Sequence, residues 1–173
     1  TLFTLLSDVT VKQEDLTLKS QEVIFNRNKN NLRAKSEIQI FSPKLEVEGR
    51  GLVYFIDDKT LKILSNVAGK IKEGGEYPIN FQCNRLEYMR EEKRIFLKGK
   101  VMIYQHFNGL KSNQAVVELD SMEKKLKSIN LIKNAKITLV KEDKNTGNPI
   151  EIREMKANGI SVSYTHLTLP TKA

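Results

Sequence analysis

Along most of the chain, apolar and polar residues alternate with a period of two, in short runs. Val9 and Val11, Leu16 and Leu18, Ile38 and Ile40, Leu45 and Val47, Ile79 and Phe81, Ile95 and Leu97, Val101 and Ile103, and Ile137 and Leu139 each stand two apart. Lys, Glu, Gln and Thr are prominent on the other parity. Successive side chains of a strand point to opposite faces, so this pattern predicts strands with one apolar face. A helix is hard to place: its best candidate, Met122 to Leu131, is interrupted by Ser128 and Asn130 and continues better as the strand Lys127 to Ile132.

The alternation is organised as a repeat, which decides the architecture. A small or polar residue, any residue and a β-branched residue open each unit: Ser7-Asp8-Val9, Ser36-Glu37-Ile38, Ser65-Asn66-Val67, Gly99-Lys100-Val101 and Ala135-Lys136-Ile137. These openings are 29, 29, 34 and 36 residues apart. A second mark follows in each unit, an apolar, a polar and a small residue: Leu18-Lys19-Ser20, Val47-Glu48-Gly49, Phe81-Gln82-Cys83, Leu110-Lys111-Ser112 and Met155-Lys156-Ala157. Five residues beyond the small slot, in the first four units, comes a larger apolar one: Phe25, Tyr54, Tyr88 or Val117.

Polar clusters then reverse the chain: 26–31, Asp57 to Thr60, Arg90 to Lys93, Asp120 to Lys125, and Asn145 to Pro149 in the fifth unit. Asn and Asp tolerate left-handed backbone and bond their own main chain, so these clusters predict hairpin turns. Each unit is a short antiparallel pair that cannot bury its apolar face alone, and stacking about five imperfect units gives an elongated all-β structure with one continuous apolar surface. Gly49 and Gly51 flank Arg50 inside a strand-like segment and predict a bulge. Glu73 to Pro78 is the longest break, and a soft boundary is placed there, between 1–74 and 75–161.

Composition narrows the function classes. At 173 residues and 39% hydrophobic the chain can bury a core. A net charge of +8, spread along the chain, favours anionic partners without a dedicated basic arm. The absence of tryptophan and of any aromatic-basic cluster argues against nucleic acid. Cys83, the single cysteine, occupies a small slot and is read as a packed side chain. His106 beside Phe107 is read as a strand-end residue, and Asp57-Asp58 and Glu91-Glu92 as solvated turn carboxylates. No nucleophile, base and orienter assemble, so no catalytic residue, metal ligand or cofactor is expected. No run of eighteen apolar residues occurs, and no signal-peptide pattern.

The end of the chain breaks the pattern. Val162-Ser163-Tyr164-Thr165-His166-Leu167-Thr168-Leu169-Pro170-Thr171 is the translation of the end of a common transposase-based sequencing adapter, so 162–173 is set apart as not native and the fifth unit as cut just after Ile160.

Two stretches resemble known families. The first half, with Asp8-Val9, Gly49-Arg50-Gly51-Leu52 and Leu61 to Val67, resembles the periplasmic part of LptC, a lipopolysaccharide export protein. The second, from Ile79 through Cys83-Asn84-Arg85-Leu86-Glu87-Tyr88 to Gly99-Lys100-Val101-Met102-Ile103-Tyr104-Gln105, resembles the OstA or LptA repeat. Lys100, where that repeat more often has Asn, and Ser112-Asn113-Gln114, in place of an Arg-bearing form, depart from it. An LptC-like part followed by an LptA-like part is the preferred description, with a single LptC-like protein next.

The resemblance implies a twisted, open antiparallel β-jellyroll that carries the acyl chains of lipopolysaccharide in its interior. It further implies a periplasmic location, an anchoring N-terminal helix outside this sequence, edge-strand pairing with other β-jellyroll transport proteins, and inner-membrane ABC transporter components as partners. Equivalent slots in successive units then nominate the groove-lining residues: Val9, Val11, Leu18, Phe25, Ile38, Ile40, Val47, Tyr54, Phe81, Tyr88, Val101 and Ile103. The competing reading of each is that it fills an ordinary β core. For the whole chain the alternative is a structural β-repeat scaffold with a filled core and no lipid.

Overall fold

The computed structural model describes residues 1–43, 45–72, 77–120 and 126–163. Their secondary structure is strand throughout: β1 (Leu2–Gln13), β2 (Leu16–Asn26), β3 (Asn31–Phe41), β4 (Leu45–Phe55), β5 (Thr60–Ile71), β6 (Ile79–Cys83), β7 (Arg85–Met89), β8 (Arg94–Gln105), β9 (Asn108–Leu119), β10 (Leu126–Glu142) and β11 (Pro149–Ser163). All belong to one antiparallel sheet in which neighbours in sequence are neighbours in space. The exception is informative. β6 and β7 lie end to end between β5 and β8, as two halves of one strand broken at Asn84, whose N–H donates to the Gly99 carbonyl at 2.8 Å.

Every long strand is interrupted near its middle. The register shifts between Leu6 and Val9, Ser20 and Ile24, Ala34 and Glu37, Glu48 and Arg50, Lys98 and Val101, and Ile132 and Ala135. Left-handed backbone accompanies many of these steps, at Ser7, Asp8, Gly51, Asn66, Gly99, Lys100, Lys133 and Asn134. A bulge bends its strand and adds twist. Bulges aligned across neighbouring strands therefore make a fold line, dividing the sheet into arm A, which holds the turns at 14–15, 106–107 and 143–148, and arm B, which holds the turns at 27–30, 56–59 and 90–93. Both arms carry buried apolar residues, and these form one core cluster: Ile38, Ile40, Val67 and Val101 from arm A with Leu52, Ile63, Leu97 and Ile129 from arm B. Among the described residues there is no helix and no second sheet to cover that face. The sheet covers itself.

The bend changes the phase of the alternation in the even members of the hairpins. Ser20 is followed three residues later by buried Val23, Gly49 by Leu52, Cys83 by Leu86 and Ser112 by Ala115. One extra residue at the fold line lets both arms turn their apolar parity inward. The small slots sit opposite the β-branched residues of the first mark, Val9↔Ser20, Ile38↔Gly49, Val67↔Cys83 and Val101↔Ser112. Both marks thus lie in mid-strand and record where the sheet folds; the residues taken above as unit openings do not begin anything.

The predicted turns are largely where the polar clusters are. Asn30, Lys59 and Lys93 take positive φ at equivalent places, and adjacent turns are stapled by Ile56 N–H to Asn30 O at 3.1 Å, Arg90 N–H to Lys59 O at 3.3 Å and Leu119 N–H to Lys93 O at 2.9 Å. The turn expected at Asp120 to Lys125 falls, from 121 on, outside the described residues, as does most of the proposed boundary, 73–76. Lys127 to Ile132 is strand, within β10. Of 162–173, Val162 and Ser163 pair with Ile129 and Ser128, while 164–173 lie outside the described residues.

Candidate functional site

The feature best suited to hold a ligand is the apolar interior where the two arms face each other. Of the twelve nominated residues, Val9, Leu18, Ile38, Ile40, Val47, Phe81, Val101 and Ile103 are buried; all but Val9 belong to the core cluster. They all sit on arm A. Val11, Phe25, Tyr54 and Tyr88 are only half-buried and lie nearer the strand ends, Val11 on arm A and the three aromatics on arm B. Half-buried Leu16, Leu45, Ile71, Leu110 and Leu139 on arm A and Leu119 on arm B likewise pack against the core. The edge opposite the fold line is therefore an apolar mouth, with an aliphatic lip on arm A and a partly aromatic lip on arm B.

The lips meet. Glu14, in the β1–β2 turn of arm A, holds Arg90, in the β7–β8 turn of arm B, at 2.8 Å. The pair is exposed enough that its worth is about 0–1 kcal/mol. Such a latch is weak.

Nominating by equivalent slots under-represented arm B. Val23, Leu52, Leu61, Ile63, Leu86, Ile95, Leu97, Ile129 and Leu131 are buried, as the arm A residues are. The signal for several of them was present in the three-residue step after each small slot, which a strict period of two skips.

Charge is confined to the outer faces and turns. Glu87 lies between Lys62 at 2.8 Å and Lys98 at 3.6 Å. The Lys62 ammonium, hydrogen-bonded to it, holds the Glu87 carboxyl below its ordinary value against the opposing effect of burial, with Lys98 assisting. Cys83 is a buried free thiol donating to the Arg85 carbonyl at 3.1 Å, and burial pushes its pKa up to about 11. That environment disfavours the thiolate. His106 follows the end of β8, stacks on Tyr77 at 4.0 Å and meets Glu142 at 2.6 Å. Among the described residues no three His, Cys, Asp or Glu side chains gather in a way that could hold a metal ion, and no helix is long and apolar enough to cross a membrane.

A folded antiparallel sheet with one continuous apolar interior can be compared directly with solved structures. LptH of Pseudomonas aeruginosa, described as the LptA-homologous periplasmic component of the lipopolysaccharide transport device, superposes with a TM-score of 0.55 over 60% of this chain and 75% of LptH. The fold is that of the LptA-like β-jellyrolls. Sequence identity across the match is 8%, so the likeness is one of fold. No protein-family profile and no curated protein sequence matches the chain.

Proposed function

We propose that the chain is a periplasmic component of lipopolysaccharide transport, which takes glycolipid acyl chains between its two arms and passes them along a bridge from inner to outer membrane. The observation that carries this reading is the apolar mouth: an interior closed only by a sheet folded on itself, with Val11, Phe25, Tyr54 and Tyr88 half-exposed along its lips. The likeness of the fold to LptH supports it. Each methylene moved from water to this interior is worth about 0.8 kcal/mol, so a few suffice to hold a chain while leaving it able to move on. The basic surplus of the chain suits the phosphorylated headgroup, at roughly 1 kcal/mol per well-placed Lys or Arg.

Partners follow from the ends of the sheet. Among the described residues β1 pairs with β2 and β11 with β10, and both carry exposed apolar residues, Leu2, Phe3, Leu5 and Leu6 on one and Ile150, Ile152 and Met155 on the other. Uncovered edges invite strand addition. Related jellyrolls would dock there, with an ABC transporter of the inner membrane feeding the bridge.

A lipid-free scaffold is the second reading. What favours it is the tightness of the centre, where Ile38, Leu52, Ile63 and Val101 are 1% exposed. Photo-crosslinking separates the two. A photoreactive residue at Phe25 or Tyr88, in cells making lipopolysaccharide, is expected to label the glycolipid, and one at Lys29, in an outer turn, to remain unlabelled. Equal labelling at all three sites would remove the case for a lipid-lined interior.

A further inference from the structure

The outer face of arm A carries a second depression, unrelated to the mouth. Two cross-strand rows form it, in register from β3 to β8: Gln39, Glu48, Ala68 and Gln82, and beside them Phe41, Glu46, Lys70, Asn80 and Tyr104. Outward positions of a sheet usually carry long side chains that screen the strands. Here Ala68 stands in the middle of the first row, and the groove over it has a volume of about 290 Å³. That is the lower end of the ~300–1,000 Å³ typical of small-molecule clefts.

The lining is specific in kind. Three primary amides, Gln39, Asn80 and Gln82, each offer both donor and acceptor, and Glu46 and Glu48 offer paired acceptors. Among the described residues Gln39, Glu48 and Gln82 spend no side-chain hydrogen bond within the protein, whereas Glu46 is engaged by Lys72 at 2.5 Å. Phe41 and Tyr104 stand at the two ends of the second row, four strand spacings or roughly 19 Å apart. With Glu46 and Glu48 against Lys70 and Lys72, the local charge balances.

A polyanion such as nucleic acid would want a net positive groove, and a hydrophobic peptide would want apolar pockets between the polar groups. Adjacent hydroxyls on a sugar ring, each both donor and acceptor, match amides and carboxylates held in a row, while the apolar face of a ring suits an aromatic wall. We infer that the outer face of arm A, centred on Ala68 and bounded by Phe41 and Tyr104, is a binding site for a neutral oligosaccharide. Its two rows have the opposite parity to the core, and Val47, Gly69 and Phe81, between those rows along the strands, complete the lining. Only the choice of probe rests on the glycolipid reading.

The test uses core oligosaccharide freed from its lipid by mild acid and dephosphorylated, titrated into the full chain and followed by NMR. Saturable shifts at the Gln39 and Gln82 amides and the Tyr104 ring are expected, with weakening by about three- to tenfold in Gln82→Ala and in Tyr104→Ala. Ala68→Gln, which fills the floor from the solvent side, should abolish binding while leaving the spectrum of the core unchanged. Absence of saturable shifts at millimolar sugar, shifts confined to the mouth, or binding unaffected by Ala68→Gln would overturn the proposal. Since the probe has no acyl chains, none of these results bears on lipid crosslinking at Phe25 or Tyr88. Capture of a peptide at this face with no response to sugar would also count against it.

Discussion

Gly49 shows how little room the bend leaves. A Cβ there would stand 2.5 Å from Ile63 Cγ2 and 3.1 Å from the Ser65 carbonyl oxygen, so the small slot is a steric requirement of folding arm B over arm A. Gly49→Ala is expected to cost about 1–3 kcal/mol in urea unfolding, with part recovered by adding Ile63→Val. Gly99 answers a different demand: its φ of +78° with Asn84 packed against it makes a side chain there strained. Glu87 gives a pH signature. Its carboxyl pKa is lowered on folding from the ordinary 4.5, so the stabilisation it gives is complete above that value and is lost as pH falls through it towards the folded pKa. The melting temperature of Glu87→Gln should therefore lie below that of the parent at pH 7, and the gap should close as pH falls below the ordinary carboxylate range. Cys83, buried and with its pKa at about 11, is expected to resist alkylation at pH 8 until the protein is unfolded.

At the scale of strands, the proposed function assigns stability and ligand contact to different positions. Leu52→Ala, in the closed centre, should cost about 2–5 kcal/mol, whereas Val11→Ala, on the half-buried lip, should cost about 1 kcal/mol or less. Comparison of their unfolding curves checks the order, and a reversed order would mean that the mouth has been placed at the wrong edge. The strands themselves were legible in the sequence because alternation and turn chemistry are local. The fold line was written there too, as a small residue with an apolar one three positions on, but such a phase step has meaning only when both sides are known to face one core. Hence a strict period of two passes over Val23, Leu52 and Leu86, and the marks at Ser36 and Ser65 look like strand beginnings although they lie in mid-strand. The outer groove was illegible for another reason: Gln39, Glu48, Ala68 and Gln82 are ordinary outward residues until four strands bring them into one row. At the free edge, Leu2 and Leu6 are 64% and 68% exposed, and replacing both by Lys is expected to reduce concentration-dependent association in sedimentation without lowering the melting temperature.

For the whole molecule, one sheet supplies both faces of its own core, so taking up a lipid means parting the arms. On the proposed function, the tight centre and the Glu14–Arg90 contact are those of the lipid-free form, and the cost of opening would be met by apolar chains replacing the contacts the arms give up. A latch worth about 0–1 kcal/mol sets little of that cost, so Glu14→Gln should leave the melting temperature nearly unchanged and hasten lipid capture. The most direct test is the distance across the mouth. Nitroxide labels at Asp15 and Glu92, both exposed and next to the latch, report it by pulsed electron resonance with and without lipopolysaccharide. The distribution is expected to move to longer distances when the glycolipid binds and to return when it is stripped away. An unchanged distribution with glycolipid demonstrably bound would contradict uptake between the arms.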